Sequence, residues 1–182
     1  MRITGGVLGG RQVTVPGGVI RPAMDRMRES VFSVLGDLSG CSFLDMFSGS
    51  GIIALEAASR GADPVEAVEM DPVKRKTLLE NVSISPVRIR CRFMAAELYI
   101  KRAGTAFDII FCDPPFPYKF KEGLIRTIAA SPLMGEGSRL LVHRPREERY
   151  GDFSDILTLE DRREYGRSTV DFFVRVKNGD FL

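Results

Sequence analysis

No run of about 18 apolar residues occurs in the chain, so no helix that crosses a membrane is expected. The opening Met1-Arg2-Ile3-Thr4-Gly5-Gly6 has none of the apolar core of a secretion signal. Cysteine is scarce. Cys41, Cys91 and Cys112 are odd in number, far apart and set among apolar residues, which fits neither a zinc knuckle nor a disulfide framework. Reduced thiols in a cytoplasm, with no metal, are the expectation. Histidine occurs once, at His143. Internal repeats and low-complexity tracts are missing too, so 182 residues point to one domain with a core of its own.

The net charge of +2 is small but unevenly spread. Residues 1–28 hold Arg2, Arg11, Arg21, Arg26 and Arg28 against the single acid Asp25. A guanidinium pairs with phosphate through two parallel hydrogen bonds, so a basic arm on an otherwise balanced chain points to a polyanionic partner. A basic face that is only solvated is the plainer alternative. Within residues 1–20, the start of the chain and Val13-Thr14-Val15-Pro16 predict a small hairpin around Gly9-Gly10, followed by a turn at Pro16-Gly17-Gly18.

Beyond this arm, apolar Met27, Val31, Val34 and Leu35 recur at helical spacing over 24–35. Strands and helices then alternate. Strands are predicted over 42–47, 65–69, 87–93, 107–112 and 139–143, with helices over 52–60, 72–82, 95–102 and 119–130 between them. Such alternation implies a parallel sheet with helices on both faces. The tail differs: residues 153–159 and 169–176 predict two strands joined only by a charged turn, 160–166, which suits an antiparallel pair. Residues 21–182 thus form the α/β core.

In such a sheet, ligands sit beyond the carboxyl ends of the strands. Three loops reach that edge. Asp45-Met46-Phe47-Ser48-Gly49-Ser50-Gly51 passes from strand to helix through two glycines that permit close approach of a ligand. A dinucleotide loop would place a third glycine where Ala54 stands, a variant that such loops tolerate, and a carboxylate at Asp45 suits an ammonium group better than a phosphate. The second loop, Glu69-Met70-Asp71, offers an acid to a ribose diol. The third, Asp113-Pro114-Pro115-Phe116, ends a buried strand with two residues that donate no backbone hydrogen bond. A carboxylate, a stiff turn and a flat ring can hold a planar amine in one orientation. Ammonium, ribose and amine clamp together describe S-adenosylmethionine and an amino-group acceptor.

In this order the motifs resemble those of a Rossmann-like class I methyltransferase that modifies amino groups. Met1-Arg2-Ile3-Thr4-Gly5-Gly6 and the segment Arg21-Pro22-Ala23-Met24-Asp25-Arg26-Met27-Arg28-Glu29 are similar to the RsmD family, as is Tyr165-Gly166 before the last strand. The resemblance covers nearly the whole chain. It implies a mostly parallel seven-stranded sheet with an antiparallel C-terminal strand and a small N-terminal β-hairpin extension. It also implies S-adenosylmethionine-dependent methylation of the exocyclic N2 amine of a guanine, in small-subunit ribosomal RNA or the assembling subunit. By the same resemblance, Asp45, Phe47, Gly49 and Gly51 form the cofactor loop, Glu69 takes the ribose hydroxyls and Met70 packs on the adenine. Asp113 and the Pro114 carbonyl hold the guanine amine beside Pro115, Phe116 stacks on the base, and the arginines contact RNA.

Two positions depart from the family. After the third strand relatives often carry a polar residue for the adenine amino group, whereas here the segment is Met94-Ala95-Ala96-Glu97, so either a backbone contact at Ala96 takes its place or cofactor affinity is lower. The fifth strand ends in His143 where relatives commonly carry an acid; a catalytic histidine is one reading, though methyl transfer of this kind needs no strong base. Asp-Pro-Pro-Phe is shared with adenine-N6 methyltransferases of DNA, which usually need an added recognition domain. A nucleic-acid-binding module with a vestigial pocket is the alternative from another class.

Overall fold

The computed structural model describes residues 1–15 and 22–176. Its elements run α1 (Pro22–Leu35), β1 (Phe43–Met46), α2 (Ile52–Ser59), β2 (Val65–Val68), a 3-10 turn (Pro72–Lys74), α3 (Arg75–Val82), β3 (Ile89–Arg92), α4 (Ala96–Arg102), β4 (Ile109–Cys112), α5 (Lys121–Ala130), β5 (Arg139–Pro145), β6 (Leu157–Tyr165) and β7 (Ser168–Arg175). The strands form one sheet in the order β3-β2-β1-β4-β5-β7-β6. The first five are parallel, and β7 runs antiparallel to both β5 and β6. The strand order reverses between β1 and β4, which opens a crevice at their carboxyl ends.

Side chains of a strand point alternately to the two faces of the sheet, and the core follows that period. Phe43, Val65, Ala67, Phe111 and Leu141 pack with α1 and α2 on one face. Leu44, Met46, Val68, Ile110, Cys112, Leu140 and Val142 pack with α4 and α5 on the other. With both faces covered, β1, β2 and β4 are buried at every position; β4 is apolar throughout, while β1 and β2 are interrupted only by Asp45 and Glu66.

Two predicted elements differ. The charged stretch 160–166 is no turn: residues 160–165 lie within β6, and the reversal falls at Gly166-Arg167. This is the sheet's edge, where exposed charges such as Arg162, Arg163 and Glu164 guard an open ladder against further pairing; their polarity makes the strand look like a loop. The N-terminal hairpin forms around Gly9-Gly10 but is short: Arg2 bridges Gln12, Met1 and Val13 exchange backbone hydrogen bonds, Ile3 N–H donates to the Arg11 carbonyl, and Val15 lies outside any strand. Other donors of the arm go to helices: Thr4 N–H to Glu56 Oε1 (2.7 Å), Leu8 N–H to Ser59 Oγ (2.9 Å) and Thr14 N–H to Asn81 Oδ1 (3.0 Å). The predicted turn at Pro16-Gly17-Gly18 lies outside the described residues.

Glu56 is the hub of this attachment. It has no exposed surface, yet its carboxylate accepts from Thr4, from Arg28 Nε at 2.8 Å and from Arg60. Arg28 in turn donates to the Arg2 carbonyl and to Asp25 Oδ1. Gly6 meets the same helix so closely, at φ 72, that a Cβ there would lie 1.9 Å from the Ser59 carbonyl oxygen, so only glycine fits. Removing one partner of a buried ion pair leaves an uncompensated charge. Arg28→Met is therefore expected to destabilise the fold by roughly 3 kcal/mol, read from urea unfolding; a loss below about 1 kcal/mol, the range of exposed pairs, would show that Arg60 alone satisfies Glu56.

Candidate active site

Asp45 sits near the end of β1 with its side chain turned into the following loop. It is buried, and its carboxylate accepts from Ser48 Oγ (2.5 Å) and Ala54 N–H (3.2 Å). Burial pushes its carboxyl up to about 7; the bonds from Ser48 and Ala54 oppose this, and the nearby Asp113 and Glu69 carboxylates add to it. The loop backbone is forced: Phe47 has φ 65, an uncommon state for a bulky residue, and Gly49 has φ 58.

Glu69, just past β2, joins two loops. Its oxygens accept from Gly49 N–H and Asp71 N–H, each at 2.8 Å, and Lys74 Nζ stands 3.6 Å away. Asp71 instead caps the 3-10 turn by accepting from Val73 N–H at 3.0 Å. Beyond β4, Asp113 Oδ1 lies 2.8 Å from His143 Nδ1, and the Phe116 and His143 ring centroids are 5.8 Å apart.

The Asp113–Phe116 turn is braced from behind. Tyr118 N–H donates to the Pro115 carbonyl (2.8 Å), and buried Lys121 Nζ donates to the Phe116 carbonyl (2.6 Å) and to Glu148 (2.5 Å). The Pro114 carbonyl accepts no hydrogen bond from the described residues. The Tyr118 hydroxyl donates to Glu97, and burial together with that carboxylate pushes the phenol up to about 12.

These groups surround a cleft of about 840 Å³ lined by Phe47, Glu69, Met70, Glu97, Asp113 to Phe116, Tyr118 and His143. A smaller cavity of about 160 Å³ adjoins it, sharing Met24, Phe47 and Asp113 and adding Asp45, Ser48, Gly49 and Ser50. Three carboxylates, Asp45, Glu69 and Asp113, thus converge where, among the described residues, the lining cation is Lys74 on the cleft side and Arg28 on the other. Arg28 is already engaged by Glu56 and Asp25, so the site favours a cationic ligand. The donor set fits S-adenosylmethionine: Asp45 and Asp113 flank the small cavity for its positive end, and Glu69 stands at the cleft for a diol. Met70, two-thirds exposed, offers an apolar face to a base. Among the described residues no group of three or more metal-ligating side chains could hold an ion, and no helix is long and apolar enough to cross a membrane.

Of the cofactor and amine-clamp residues expected from the sequence, all but Gly51 and Ala96 line this space. Gly51, at φ 81, precedes α2, and a Cβ there would meet Leu78 Cδ1 at 2.6 Å, so the glycine serves packing against α3. Ala96 is buried in the core, and its neighbour Glu97 reaches the cleft in its place. Among the arginines expected to contact RNA, Arg28 is 2 % exposed and held by Glu56, so it is not available to a polyanion, while Arg2, Arg11 and Arg26 are exposed. Arg21 lies outside the described residues. Glu97 and Tyr118 belong to no motif read from the sequence; the aromatic run Phe116-Pro117-Tyr118 is the available signal for the second.

The fold and site define the class I methyltransferase architecture, and comparison with known proteins agrees. The family model described as conserved hypothetical protein 95 matches residues 1–174. The chain belongs to that family, the RsmD family of the sequence resemblance. It is 36 % identical over 119 residues to "Ribosomal RNA small subunit methyltransferase D" of Escherichia coli K12, an alignment covering 64 % of this chain and 60 % of that one. The match therefore spans less than two thirds of that relative. The protein of the same name from Haemophilus influenzae Rd is 30 % identical over 136 residues, 69 % of this chain and 68 % of its own. The Escherichia coli structure named "Putative methyltransferase yhhF" superposes with a TM-score of 0.84 at 29 % identity, covering 96 % of this chain and 97 % of its own.

An acid held up near pH 7 has a consequence for binding. In the unliganded protein Asp45 keeps its proton to higher pH than in the unfolded chain, where the ordinary value is 3.8, so its contribution to stability falls as pH rises from about 4 to about 7. An ammonium beside it would favour the charged form. Binding of S-adenosylmethionine at pH 6 is expected to release a fraction of a proton, seen as a dependence of the calorimetric enthalpy on buffer ionisation enthalpy. Asp45→Asn should abolish that release and weaken binding roughly tenfold to a hundredfold; buffer-independent heat in the unaltered protein would contradict it.

Proposed function

We propose that this protein transfers a methyl group from S-adenosylmethionine to the exocyclic N2 amine of a guanine in small-subunit ribosomal RNA, acting in the cytoplasm on the RNA or the assembling subunit. One observation carries the amine assignment. At the acceptor end of the cleft the Asp113 carboxylate and the Pro114 carbonyl stand on adjacent residues, while the next two carbonyls are already taken by Tyr118 and Lys121. Two acceptors side by side match the two N–H bonds of an exocyclic amine.

When bound, S-adenosylmethionine supplies a methyl carbon already activated by its sulfonium, so the protein's task is alignment. The N2 lone pair of guanine is delocalised into the ring and attacks weakly. Hydrogen bonds from its N–H groups to Asp113 and Pro114 favour a pyramidal nitrogen and stabilise the positive charge that develops on it. N2 gains the methyl group as the methyl–sulfur bond breaks, its electron pair staying on sulfur as a neutral thioether, and one N2 proton leaves to Asp113 or to water; Asp113 is part-exposed, with 28 % of its side chain open to solvent. Phe116, 39 % exposed at the mouth of the cleft, offers a face that offsets part of the cost of unstacking the base, about a few kcal/mol.

The arm stands beside this acceptor end, since Met1 and Met24 line the small cavity that Asp113 also lines. Arg2, Arg11 and Arg26, all exposed, suit the phosphates flanking an extruded nucleotide.

Asp113→Ala should lower methylation of ribosomal subunits roughly a hundredfold or more while cofactor still binds; wild-type turnover in that variant would remove the clamp. Arg2→Glu with Arg11→Glu should weaken RNA binding and flatten its dependence on salt by about one unit of slope for each phosphate no longer neutralised. Unchanged affinity would remove the arm. Methylation of duplex DNA in preference to subunit RNA would favour the adenine-N6 alternative.

A further inference from the structure

His143 carries the only buried side-chain nitrogen or oxygen, among the described residues, that has no hydrogen-bond partner: its Nε2. The residue is 1 % exposed, in β5 opposite Val170 of β7. Its other nitrogen, Nδ1, faces Asp113 Oδ1 at 2.8 Å. An ionised carboxylate has only lone pairs to offer, so Nδ1 carries the hydrogen and donates it. A second hydrogen, at Nε2, would have nothing to accept it.

We propose that His143 is the positioning residue of Asp113: its Nδ1–H holds Oδ1, turns Oδ2 toward the acceptor amine and keeps the carboxylate ionised to receive it. This rests on the amine-clamp reading of Asp113. A proton relay fits less well, because a proton taken up at Nδ1 would have to leave from Nε2, which meets no group that could accept it. Among the described residues, the charged groups facing the pair are Asp45 from β1, Arg28 from α1, Glu69, Asp71 and Lys74 around the end of β2, and Glu97 from α4. On β7, Asp171 follows Val170 but is tied to Arg144 and Arg162. Among the described residues, only Asp113 hydrogen-bonds the imidazole. The Phe116 ring, tilted at 57° to it, closes the acceptor side, so His143 also shapes the wall on which the base would lie.

The test compares two polar replacements that differ in reach. His143→Asn puts an amide N–H near the place of Nδ1, whereas His143→Gln carries it one bond farther, toward Nε2. For both, and for the unaltered protein, the pH dependence of kcat for methyl transfer to subunit RNA is measured, with cofactor affinity by calorimetry and folding by thermal melting. The Asn variant should keep the acid limb of the wild-type profile. In the Gln variant that limb should move to higher pH by on the order of one unit, because a carboxylate that loses a donor takes up a proton more readily. Cofactor affinity should persist in both. If the Gln variant fails to fold, His143→Phe supplies the donor-free case with the same expected shift. Superimposable limbs in the Asn variant and the donor-displaced or donor-free variant would overturn the positioning role. Absence of methyl transfer by the unaltered protein would instead sink the RNA-methylation reading and leave the Asp113–His143 contact as observed.

Discussion

Like charges held close together repel, and in this protein three carboxylates meet at one edge of a sheet. Asp45, Glu69 and Asp113 come from three different loops, and their mutual repulsion rises as water is excluded. Asp45 shows the cost directly, since burial and its two acidic neighbours hold its carboxyl up at about 7. Such an arrangement persists only if the scaffold cannot relax, and it is relieved when a cation arrives. A ligand with a sulfonium and an ammonium supplies that relief, so affinity for the cofactor and strain in its absence have one origin.

The scaffold resists relaxation through donors supplied at fixed points. Backbone N–H groups of Gly49, Ala54 and Asp71 hold Asp45 and Glu69, and an imidazole holds Asp113. Behind them, the buried strands β1, β2 and β4 leave no room for the loops to shift their roots. Lys121, buried and paired with the half-buried Glu148, pins the turn that follows Asp113, and Tyr118 ties the same turn to Glu97 across the cleft. The Glu56 hub does for the N-terminal arm what these contacts do for the loops. It converts a chain start with one β-bridge into a part of the wall.

Much of this is legible in residue order. Repeated apolar runs separated by helical periodicity announce the parallel strands, because a strand covered on both faces has no polar alternation to hide it. Asp45, Glu69 and Asp113 are visible because each follows or closes such a run. The misses share a cause: in each, a residue's role depends on a neighbour far along the chain. Residues 160–165 of the edge strand β6 read as a turn until β7 pairs with them. The hairpin of the arm forms as its turn residues announce, but three of its donors go to α2 and α3, residues 50 or more positions away, which no local pattern reveals. Gly51 answers to Leu78, and Arg28 to Glu56.

Local periodicity and proline's missing N–H are enough to establish the class of fold, and with it three acids and an Asp-Pro-Pro-Phe turn at strand ends. Which groups face one another is a matter for the folded chain. Folding separates the arginines available to a polyanion from the one consumed in the core, and it brings Glu97 to the cleft in place of Ala96. It also sets a lone histidine against Asp113 at hydrogen-bonding distance. Hydrogen bonds and charge pairs depend on distances of a few ångströms between residues tens of positions apart, and those distances exist only once the sheet has closed on its helices.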